Sequence, residues 1–273
     1  MSTKRESRQV TMTIKTSTPA SEPFIPDTDE MIDFGFQSVP RAEKVQHVGR
    51  VFSSVASRYD IMNDVMSGGI HRIWKDALMD WMSPQPHQSL VDLAGGTGDI
   101  SLRFLKRGGA RAHIIDINAE MLAAGQKRSD LSSYSDRLDW TVASAEQIPL
   151  PDNHCHRVTI AFGLRNVTDR QAALSEAYRI LKPGGRFCCL EFSHVTQPQF
   201  AKLYDAWSFG ALPRLGRLIA GDEAAYRYLA ESIRTFPDQT ELAHMFSAAG
   251  FAQVRYRNLS LGIAAIHSGW KLD

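Results

Sequence analysis

The sequence lacks an excess of charge of either sign, and it lacks a long apolar run. Its 273 residues include 31 lysines and arginines against 30 aspartates and glutamates, which gives a net charge of +1. Because nonspecific nucleic-acid binding depends on a clear excess of positive charge, we expect no nucleic-acid partner. No apolar run approaches the roughly 18 residues of a transmembrane helix, so we predict no membrane span. Contact with a membrane surface stays open.

Cysteine is scarce as well, with only Cys155, Cys188 and Cys189. An odd and sparse set of cysteines does not form a disulfide framework and is typical of a reducing compartment. His154 and His156 flank Cys155 and superficially resemble metal ligands. Since consecutive residues of a strand point to opposite faces, we predict no metal site there.

The first 33 residues differ in composition from the rest of the chain. They are rich in serine and threonine, contain Pro19, Pro23 and Pro26, and show no apolar periodicity. We therefore predict a disordered tail over residues 1–33. The tail has no apolar stretch typical of a secretory signal, and its acidic residues 27–30 argue against a mitochondrial transit peptide. We expect a bacterial cytoplasmic protein rather than one of the mitochondrial matrix.

Residues 34–88 are predicted to form an N-terminal helical cap. Val45 and Val48 begin an apolar stripe with spacings of three and four, which predicts a helix over residues 41–58. A second helix is predicted over residues 70–82. Its inner side is predicted to consist of Ile73, Trp74, Ala77, Leu78 and Trp81.

From residue 89 onward, strand patterns alternate with helix patterns. Alternation of this kind is typical of a doubly wound, mostly parallel sheet. The predicted strands cover residues 89–94, 112–117, 138–143, 158–162, 186–192, 252–256 and 261–267, which makes seven. The predicted helices of this part cover residues 100–106, 119–127, 170–181 and 237–249. The segment 197–236 interrupts the rhythm with aromatic, helical sequence after the fifth strand, and we predict that it covers the substrate. Residues 34–273 then form one domain.

A glycine-rich turn follows the first predicted strand. Asp92 ends the strand, and Gly95, Gly96, Thr97 and Gly98 lead into a helix. Glycines in such a turn allow the backbone to approach a ligand closely. In open α/β sheets this turn lies beyond the carboxyl ends of the strands, where nucleotides bind.

The next strand ends in Asp116, at a spacing suited to an acid that binds the two hydroxyls of a ribose. Both NAD and S-adenosylmethionine carry an adenosine, so this pattern alone does not distinguish them. The turn lacks the third glycine typical of dinucleotide sites, and Asp99 at the helix start is expected to repel a pyrophosphate. These two features favour S-adenosylmethionine. We expect the loop at Ser144 and Ala145, after the third strand, to flank the adenine.

Several longer stretches are far more specific than the glycine turn. The narrowest are Arg165-Asn166-Val167-Thr168-Asp169 and Tyr226-Arg227-Tyr228-Leu229-Ala230-Glu231-Ser232. With these, the chain resembles the ubiquinone/menaquinone biosynthesis C-methyltransferase family over nearly all of residues 34–273. The matching segments are 34–36, 54–60, 62–67, 69–75, 94–99, 162–169, 181–186, 190–193, 226–233 and 236–239.

The resemblance implies a class I, Rossmann-like methyltransferase that uses S-adenosylmethionine to methylate a ring carbon of a polyprenylated quinol. The implied acceptors are 2-polyprenyl-6-methoxy-1,4-benzoquinol and demethylmenaquinol. Thr97 and Asp116 match donor-binding positions of the family. Ser144 stands in place of an asparagine that precedes Ala145, and Ala161 stands where a donor-contacting serine is common.

Four residues are predicted to act on the acceptor. A quinol ring carbon is a weak nucleophile, so the site needs a device that stabilises the ionised hydroxyl and positions the ring. Arg165 and Asn166, just past the fourth strand, are the first candidates, and Tyr59 and Asp60 of the cap are the second.

Arg214 and Arg217 lie among apolar residues of the insertion, which is compatible with docking on an anionic membrane. A homodimer or a complex of quinone-synthesis proteins is compatible with the sequence too. Two other functions stay open at this point. One is a donor-binding scaffold without catalysis, and the other is a nicotinamide-dependent dehydrogenase, against which the missing third glycine of the turn argues.

Overall fold

The computed structural model describes residues 30–55, 64, 67–211 and 223–273. The predicted tail up to residue 29 lies outside these residues. Arg214 and Arg217 lie outside them too, so the prediction that they contact a membrane stays a prediction. Among the described residues, no helix combines the length and the apolar character that crossing a membrane requires.

A seven-stranded sheet forms the centre of the domain, as predicted. Its strand order is β5-β4-β3-β6-β7-β9-β8. The five strands from β5 to β7 are parallel, and β9 runs antiparallel to both of its neighbours. An N-terminal hairpin precedes this sheet and supplies β1 and β2. The strands are β1 (Met31–Phe34), β2 (Gln37–Pro40), β3 (Ser89–Leu93), β4 (Arg111–Asp116), β5 (Leu138–Val142), β6 (Cys155–Ala161), β7 (Leu181–Phe192), β8 (Ala252–Leu259) and β9 (Ala264–Trp270).

Helices cover both faces of the sheet, and three of those described begin at side-chain caps that the sequence supplies. The Asp169 carboxylate accepts from the backbone N–H of Ala172, and Asp238 and Glu241 form a capping box. The α-helices are α1 (Arg41–Val55), α2 (His71–Met82), α3 (Asp99–Lys106), α4 (Ala119–Gln126), α5 (Arg170–Ile180), α6 (Pro198–Asp205), α7 (Glu223–Arg234) and α8 (Gln239–Ala248). A π-helix (Ala206–Ala211) extends α6, so the insertion is helical where it is described.

The strands divide the core between the two faces by their alternation. Along β7, Cys188 and Leu190 pack on the face covered by α2, α3 and α7, whereas Phe187 and Cys189 pack on the face covered by α5 and α8. All three cysteines are free and buried.

The strand order reverses direction at β3, because β4 lies on one side of it and β6 on the other. Leu93 at the end of β3 pairs with Ile115 of β4 and with Ile160 of β6, so the carboxyl ends of the three strands meet at one edge. A crevice opens there, at the switch point where ligands of open α/β sheets bind.

The predicted disordered tail extends too far, because Met31–Phe34 is strand β1. The hairpin is stabilised by contacts with the distant helix α7. The Phe34 ring stacks on Tyr228 at 4.2 Å, and the backbone N–H of Phe36 donates to the Glu231 carboxylate at 3.2 Å. The local sequence gives no indication of such long-range partners, so the hairpin was not predicted. The cap thus consists of a hairpin followed by helices.

The predicted inner face of α2 is partly wrong. Ile73 is 67% exposed, whereas Lys75 and His71 are buried beside Trp74 and Leu78. Their burial is compensated because the Lys75 ammonium pairs with Asp99 at 2.8 Å and the His71 ring bonds to Asp64 at 2.8 Å. The helix is thus rotated to bring Lys75 toward the glycine turn.

Several strand boundaries differ from the prediction. The fourth strand begins at Cys155 rather than at residue 158, because Cys155 pairs with Leu181. The register then jumps from Leu181 to Arg186, so the segment Lys182-Pro183-Gly184-Gly185 is a bulge inside β7. The last strand begins at Ala264 rather than at residue 261, since a 3-10 turn, Ser260–Gly262, precedes it.

Candidate active site

The glycine turn leads from β3 into α3 with almost no free space around it. Gly96 and Gly98 adopt φ values of 53° and 79°, which favour glycine. A Cβ added to Gly95 would lie 2.9 Å from the Asp92 Cγ and 2.8 Å from a side-chain carbon of Ile114. The absence of side chains therefore lets this backbone approach both Asp92 and whatever occupies the crevice.

A cavity of about 1130 Å³, counted with its open mouth, lies above the turn. All predicted donor-binding residues except Gly98 line it, and Gly98 instead faces Trp140 and Leu131. The predicted residues on the wall are Asp92, Gly95, Gly96, Thr97, Asp116, Ser144, Ala145 and Ala161.

The Asp116 carboxylate is held by the backbone on both sides of the cavity. Its oxygens accept from the N–H groups of Gly96 at 2.9 Å and Asn118 at 2.8 Å. Burial raises the pKa of Asp116, although these two hydrogen bonds oppose the shift. A carboxylate has about four acceptor sites, so it retains capacity for a pair of ligand hydroxyls.

Asp92 is fully buried at the end of β3 and lines the same cavity. Its Oδ2 accepts from the Ser101 backbone N–H at 3.1 Å and from the Ser101 hydroxyl at 2.8 Å, whereas Oδ1 has no hydrogen-bond partner among the described residues. Burial raises the pKa of Asp92 to about 7. A buried carboxylate oxygen of this kind fits a cationic or hydrogen-bond-donating ligand group.

We expect Asp92 to make the stability of the ligand-free protein depend on pH. Between pH 4 and 7 the folded state holds a proton on Asp92 that the unfolded chain has released. The free energy of unfolding should therefore fall by up to about 1.4 kcal/mol per pH unit as the pH rises through this window. Urea titrations of the wild type and Asp92→Asn should show this slope in their difference, and parallel pH profiles would contradict it.

Asp99 does not present an unpaired charge to the cavity. Its carboxylate pairs with Lys75 at 2.8 Å and with Arg103 at 3.3 Å. Burial alone would raise its pKa, but these cations outweigh burial and lower it to about 2. The expectation that Asp99 repels a pyrophosphate is therefore wrong, because Lys75 from the cap helix compensates its charge.

Two loops meet on the far side of the cavity and are tied together. The Glu146 carboxylate, which follows β5, accepts from the backbone N–H groups of Thr168 at 2.9 Å and Asp169 at 3.1 Å. The Ser144 hydroxyl accepts from the N–H of Glu146 at 3.1 Å. The hydroxyl hydrogen of Ser144 is thus left to donate to a ligand.

Arg165 lies behind the cavity wall rather than on it, and its side chain is fully buried. Its guanidinium donates to the Glu191 carboxylate at 2.7 Å and to the Phe162 carbonyl at 2.6 Å. Glu191, at the end of β7, was not predicted as a site residue. An acidic residue at the carboxyl end of a buried strand could have indicated one. Tyr59 and Asp60 lie outside the described residues, and their roles stay predictions.

Asn166 is on the cavity wall, and its amide orientation is fixed by a residue that the sequence did not predict. The Tyr228 hydroxyl, from α7, donates to Asn166 Oδ1 at 3.1 Å. Burial raises the pKa of Tyr228 to about 12 against the nearby charges of Arg165 and Arg170, so the hydroxyl stays protonated. The Asn166 NH₂ group therefore remains as a donor for a ligand.

Helix α1 covers the cavity, and two of its cationic side chains bond to the loop that follows β6. Val45, Val48 and Gly49 line the cavity. The Arg41 guanidinium bonds to Asp169 at 2.8 Å, and the Lys44 ammonium donates to the Val167 carbonyl at 3.4 Å. Burial, with Arg170 nearby, lowers the pKa of Lys44 to about 8. The loop around Asn166 therefore lies in a region with several buried cations.

A family model decides what kind of protein carries this site. The model described as the ubiE/COQ5 methyltransferase family matches residues 40–271. The chain belongs to this family. The match begins at the end of the hairpin and ends beyond the last strand, so it includes every cavity-lining element described above. Membership of a methyltransferase family decides against the nicotinamide-dependent dehydrogenase.

Curated relatives of the family are similar over almost their whole length. A protein from Cereibacter sphaeroides, named ubiquinone/menaquinone biosynthesis C-methyltransferase UbiE, is 55% identical over 247 residues, which are 90% of this chain and 99% of that protein. A relative of the same name from Acidiphilium cryptum is 56% identical over 245 residues, covering 90% and 98%. The similarity therefore extends over the whole domain rather than over the glycine turn alone.

Solved structures confirm the predicted class I methyltransferase fold. A SAM-dependent methyltransferase from Thermotoga maritima superposes with a TM-score of 0.60 at 18% identity and covers 82% of this chain and 100% of that chain. The [4+2]-cyclase SpnF gives a TM-score of 0.61 at 17% identity, covering 83% and 95%. Since a cyclase shares the architecture, the fold alone does not fix the reaction.

Proposed function

We propose that the protein transfers a methyl group from S-adenosylmethionine to a ring carbon of a polyprenylated quinol in ubiquinone or menaquinone biosynthesis. The observation that carries the proposal is the identity of 55% with a relative named as the C-methyltransferase of these pathways, over 99% of its length. The acceptors proposed are 2-polyprenyl-6-methoxy-1,4-benzoquinol and demethylmenaquinol.

The residues at the end of β3 and β4 fit this donor. S-adenosylmethionine supplies an electrophilic methyl group on a sulfonium, together with an adenosine and an amino-acid end. Asp116 would bind the ribose hydroxyls with its remaining acceptor capacity. Asp92 Oδ1, which has no hydrogen-bond partner among the described residues, would accept from the ammonium group of the donor's amino-acid end. Gly95 cannot be replaced by a larger residue without displacing Asp92, because a Cβ there would collide with the Asp92 side chain. Ser144 would donate to the adenine edge.

The residues after β6 fit the acceptor. Methylation of a ring carbon needs electron density that the ring gains when its neighbouring hydroxyl is ionised. The Asn166 NH₂ group is aimed for donation to that oxygen, because the other end of the amide is occupied by Tyr228. Arg165 does not line the cavity and serves as a positioning residue. Its guanidinium bonds to the Phe162 carbonyl and adds positive charge beside Asn166.

A turnover assay with two quinols tests the proposal. The full chain is incubated with S-adenosylmethionine and one of two quinols, a methoxybenzoquinol or a demethylmenaquinol, each with a short isoprenoid tail. The masses of the products are measured by mass spectrometry. We expect at least one acceptor to gain a single methyl group. Calorimetric binding of the donor without methylation of either quinol would contradict the proposal and support the scaffold instead.

The Tyr228→Phe variant tests the orientation of Asn166. Without the hydroxyl, the amide loses the partner that fixes it, and we expect kcat to fall about fivefold to tenfold, which corresponds to one hydrogen bond. The dissociation constant for S-adenosylmethionine should stay unchanged. Tyr178→Phe, which removes a hydroxyl from α5 beneath Lys271, is the matched control and should keep full turnover. Equal kcat values for both variants would contradict the role of Tyr228.

A further inference from the structure

Two arginines and two tryptophans form a cluster at the edge of the sheet opposite the donor cavity. Arg157, near the start of β6, pairs in register with Arg186 of β7, which pairs in turn with Trp270 at the end of β9. Residues paired in this way share one face of the sheet, and Trp81 at the end of α2 covers that face. We call these four residues the arginine–tryptophan cluster.

The indole rings hold the two guanidinium groups close together. The guanidinium carbon of Arg157 lies 5.5 Å from the centre of the Trp270 ring. That of Arg186 lies 5.1 Å from the same ring and 5.4 Å from the ring of Trp81. Arg186 is held further because it donates to the Trp81 carbonyl and, at 2.9 Å, to the Ser268 hydroxyl. Cation–π contacts of this kind stabilise the two positive charges only in part.

No carboxylate compensates these charges in the described part of the chain. Arg157 and Arg186 are 7% and 8% exposed, and neither forms an ion pair with a described residue. The buried Arg165, by contrast, pairs with Glu191 at 2.7 Å. Burial lowers the pKa of Arg157, and the charge of Arg186 lowers it further. Because an unpaired buried charge destabilises a fold, an anion bound at this cluster would be stabilising.

One edge of the Arg157 guanidinium is suited to an oxyanion. Its Nη1 donates to the His156 carbonyl at 2.9 Å, whereas Nε is buried and has no hydrogen-bond partner among the described residues. Nη2 makes no hydrogen bond to these residues either. Nε and Nη2 lie side by side on one edge, and their N–H groups match two oxygens of a carboxylate or a phosphate. A buried donor pair of this kind calls for a ligand.

The surroundings of the cluster add further positive charge. Burial, followed by the charges of Lys182 and His87, lowers the pKa of the His156 ring. The charge of Arg157 acts on the same ring in the same direction, so these groups lie within electrostatic reach of one another. Lys182, His87 and His156 form no ion pair with any residue that the structure describes. This concentration of cations favours a ligand with more than one negative charge.

We propose that the arginine–tryptophan cluster binds a phosphate group, either free or as the phosphomonoester end of a larger ligand, at the Nε–Nη2 edge of Arg157. A phosphate dianion compensates the charges of both arginines, whereas a single carboxylate compensates one. The inference is independent of the proposed function, because the cluster lies at the amino ends of the parallel strands and the donor cavity lies at their carboxyl ends.

Calorimetric titration with inorganic phosphate, at constant ionic strength against a chloride reference, tests the site. We expect the wild type to bind with a dissociation constant of about 1 mM or below, and Arg157→Met to bind about tenfold or more weakly. Phosphate should likewise raise the melting temperature of the wild type more than that of this variant. Arg111→Met removes an exposed arginine that pairs with Asp139, and as the matched control it should bind phosphate like the wild type.

Arg157→Lys keeps the test decisive if the methionine variant does not fold. It retains the positive charge but lacks the two parallel donors, so its affinity for phosphate should fall by about threefold or more. Equal affinity of the wild type and the Arg157 variants, or a wild-type dissociation constant above about 50 mM, would overturn the site.

Vesicles of phosphatidylcholine with and without phosphatidic acid distinguish the source of the phosphate. Co-sedimentation that requires both phosphatidic acid and Arg157 would assign the site to a lipid headgroup. Binding of inorganic phosphate without such co-sedimentation would assign it to a phosphate compound in solution. Failure of the wild type to bind either probe would contradict the proposal.

Discussion

Replacement of Arg165 by alanine is expected to lower kcat about a hundredfold, while the dissociation constant for S-adenosylmethionine stays within about threefold of wild type. The reason is that Arg165 contacts the Phe162 carbonyl and Glu191 on the acceptor side and does not line the donor cavity. Its loss removes positive charge beside Asn166 and releases the loop that carries Asn166. Single-turnover kinetics and calorimetry measure the two quantities separately.

The same replacement leaves the Glu191 carboxylate buried beside an empty site, so stability has to be separated from catalysis. Removal of one partner of a buried ion pair costs about 3–5 kcal/mol, and we expect a melting temperature lower by ~10 °C. The double variant Arg165→Met with Glu191→Leu removes both charges and should recover most of the stability, but not kcat. Arg186→Ala removes a buried arginine that bonds to Trp81 and Ser268, far from the cavity, and controls for destabilisation alone.

Recovery of kcat to within about threefold of wild type in the double variant would show that Arg165 serves the fold and not the reaction. A further readout is the pH profile of kcat/KM. If Arg165 promotes ionisation of the quinol, its loss should move the apparent pKa of that profile upward. A profile in which kcat/KM falls by the same factor at every pH, with an unchanged apparent pKa, would contradict the electrostatic part of the role.

The second large effect is expected at the donor end. Asp116→Ala should weaken S-adenosylmethionine binding about a hundredfold or more, because two charge-assisted hydrogen bonds to a ribose contribute roughly 3–6 kcal/mol together. Asp116→Asn keeps an acceptor for the Gly96 N–H, so its affinity for S-adenosylmethionine should lie between those of the wild type and Asp116→Ala. The matched control is Asp139→Asn on β5, whose carboxylate pairs only with the exposed Arg111 among the contacts of the described residues. Binding by Asp116→Ala within about threefold of wild type would contradict the assignment.

The donor half of the site could be predicted from the sequence because its signals are local. Asp92 and the glycines follow one strand directly, and Asp116 ends the next strand. The carboxyl ends of neighbouring parallel strands must meet at one edge of the sheet. The alternation of strand and helix patterns along the chain was enough to predict the mostly parallel sheet itself.

The acceptor half could be predicted only in part. Asn166 lies in the 3-10 turn that follows β6 and was found, but its partner Tyr228 comes from α7, and nothing in the local pattern joins them. Asp99 was misjudged for the same reason, because the Lys75 that neutralises it lies on the cap helix. The hairpin at Met31–Phe34 was missed since its stabilising ring, Tyr228, is again remote in sequence.

The position of the transferred methyl group tests the account most directly. The full chain is incubated with S-adenosylmethionine carrying a ¹³C-labelled methyl group and with a tailed methoxybenzoquinol, and the product is examined by NMR. We predict one new ¹³C methyl resonance in the range of a methyl group on an aromatic ring carbon, with no label in a methoxy group, and loss of the signal in Asp116→Ala and Asn166→Leu. A labelled methoxy group, or an unlabelled quinol despite bound donor, would contradict the account.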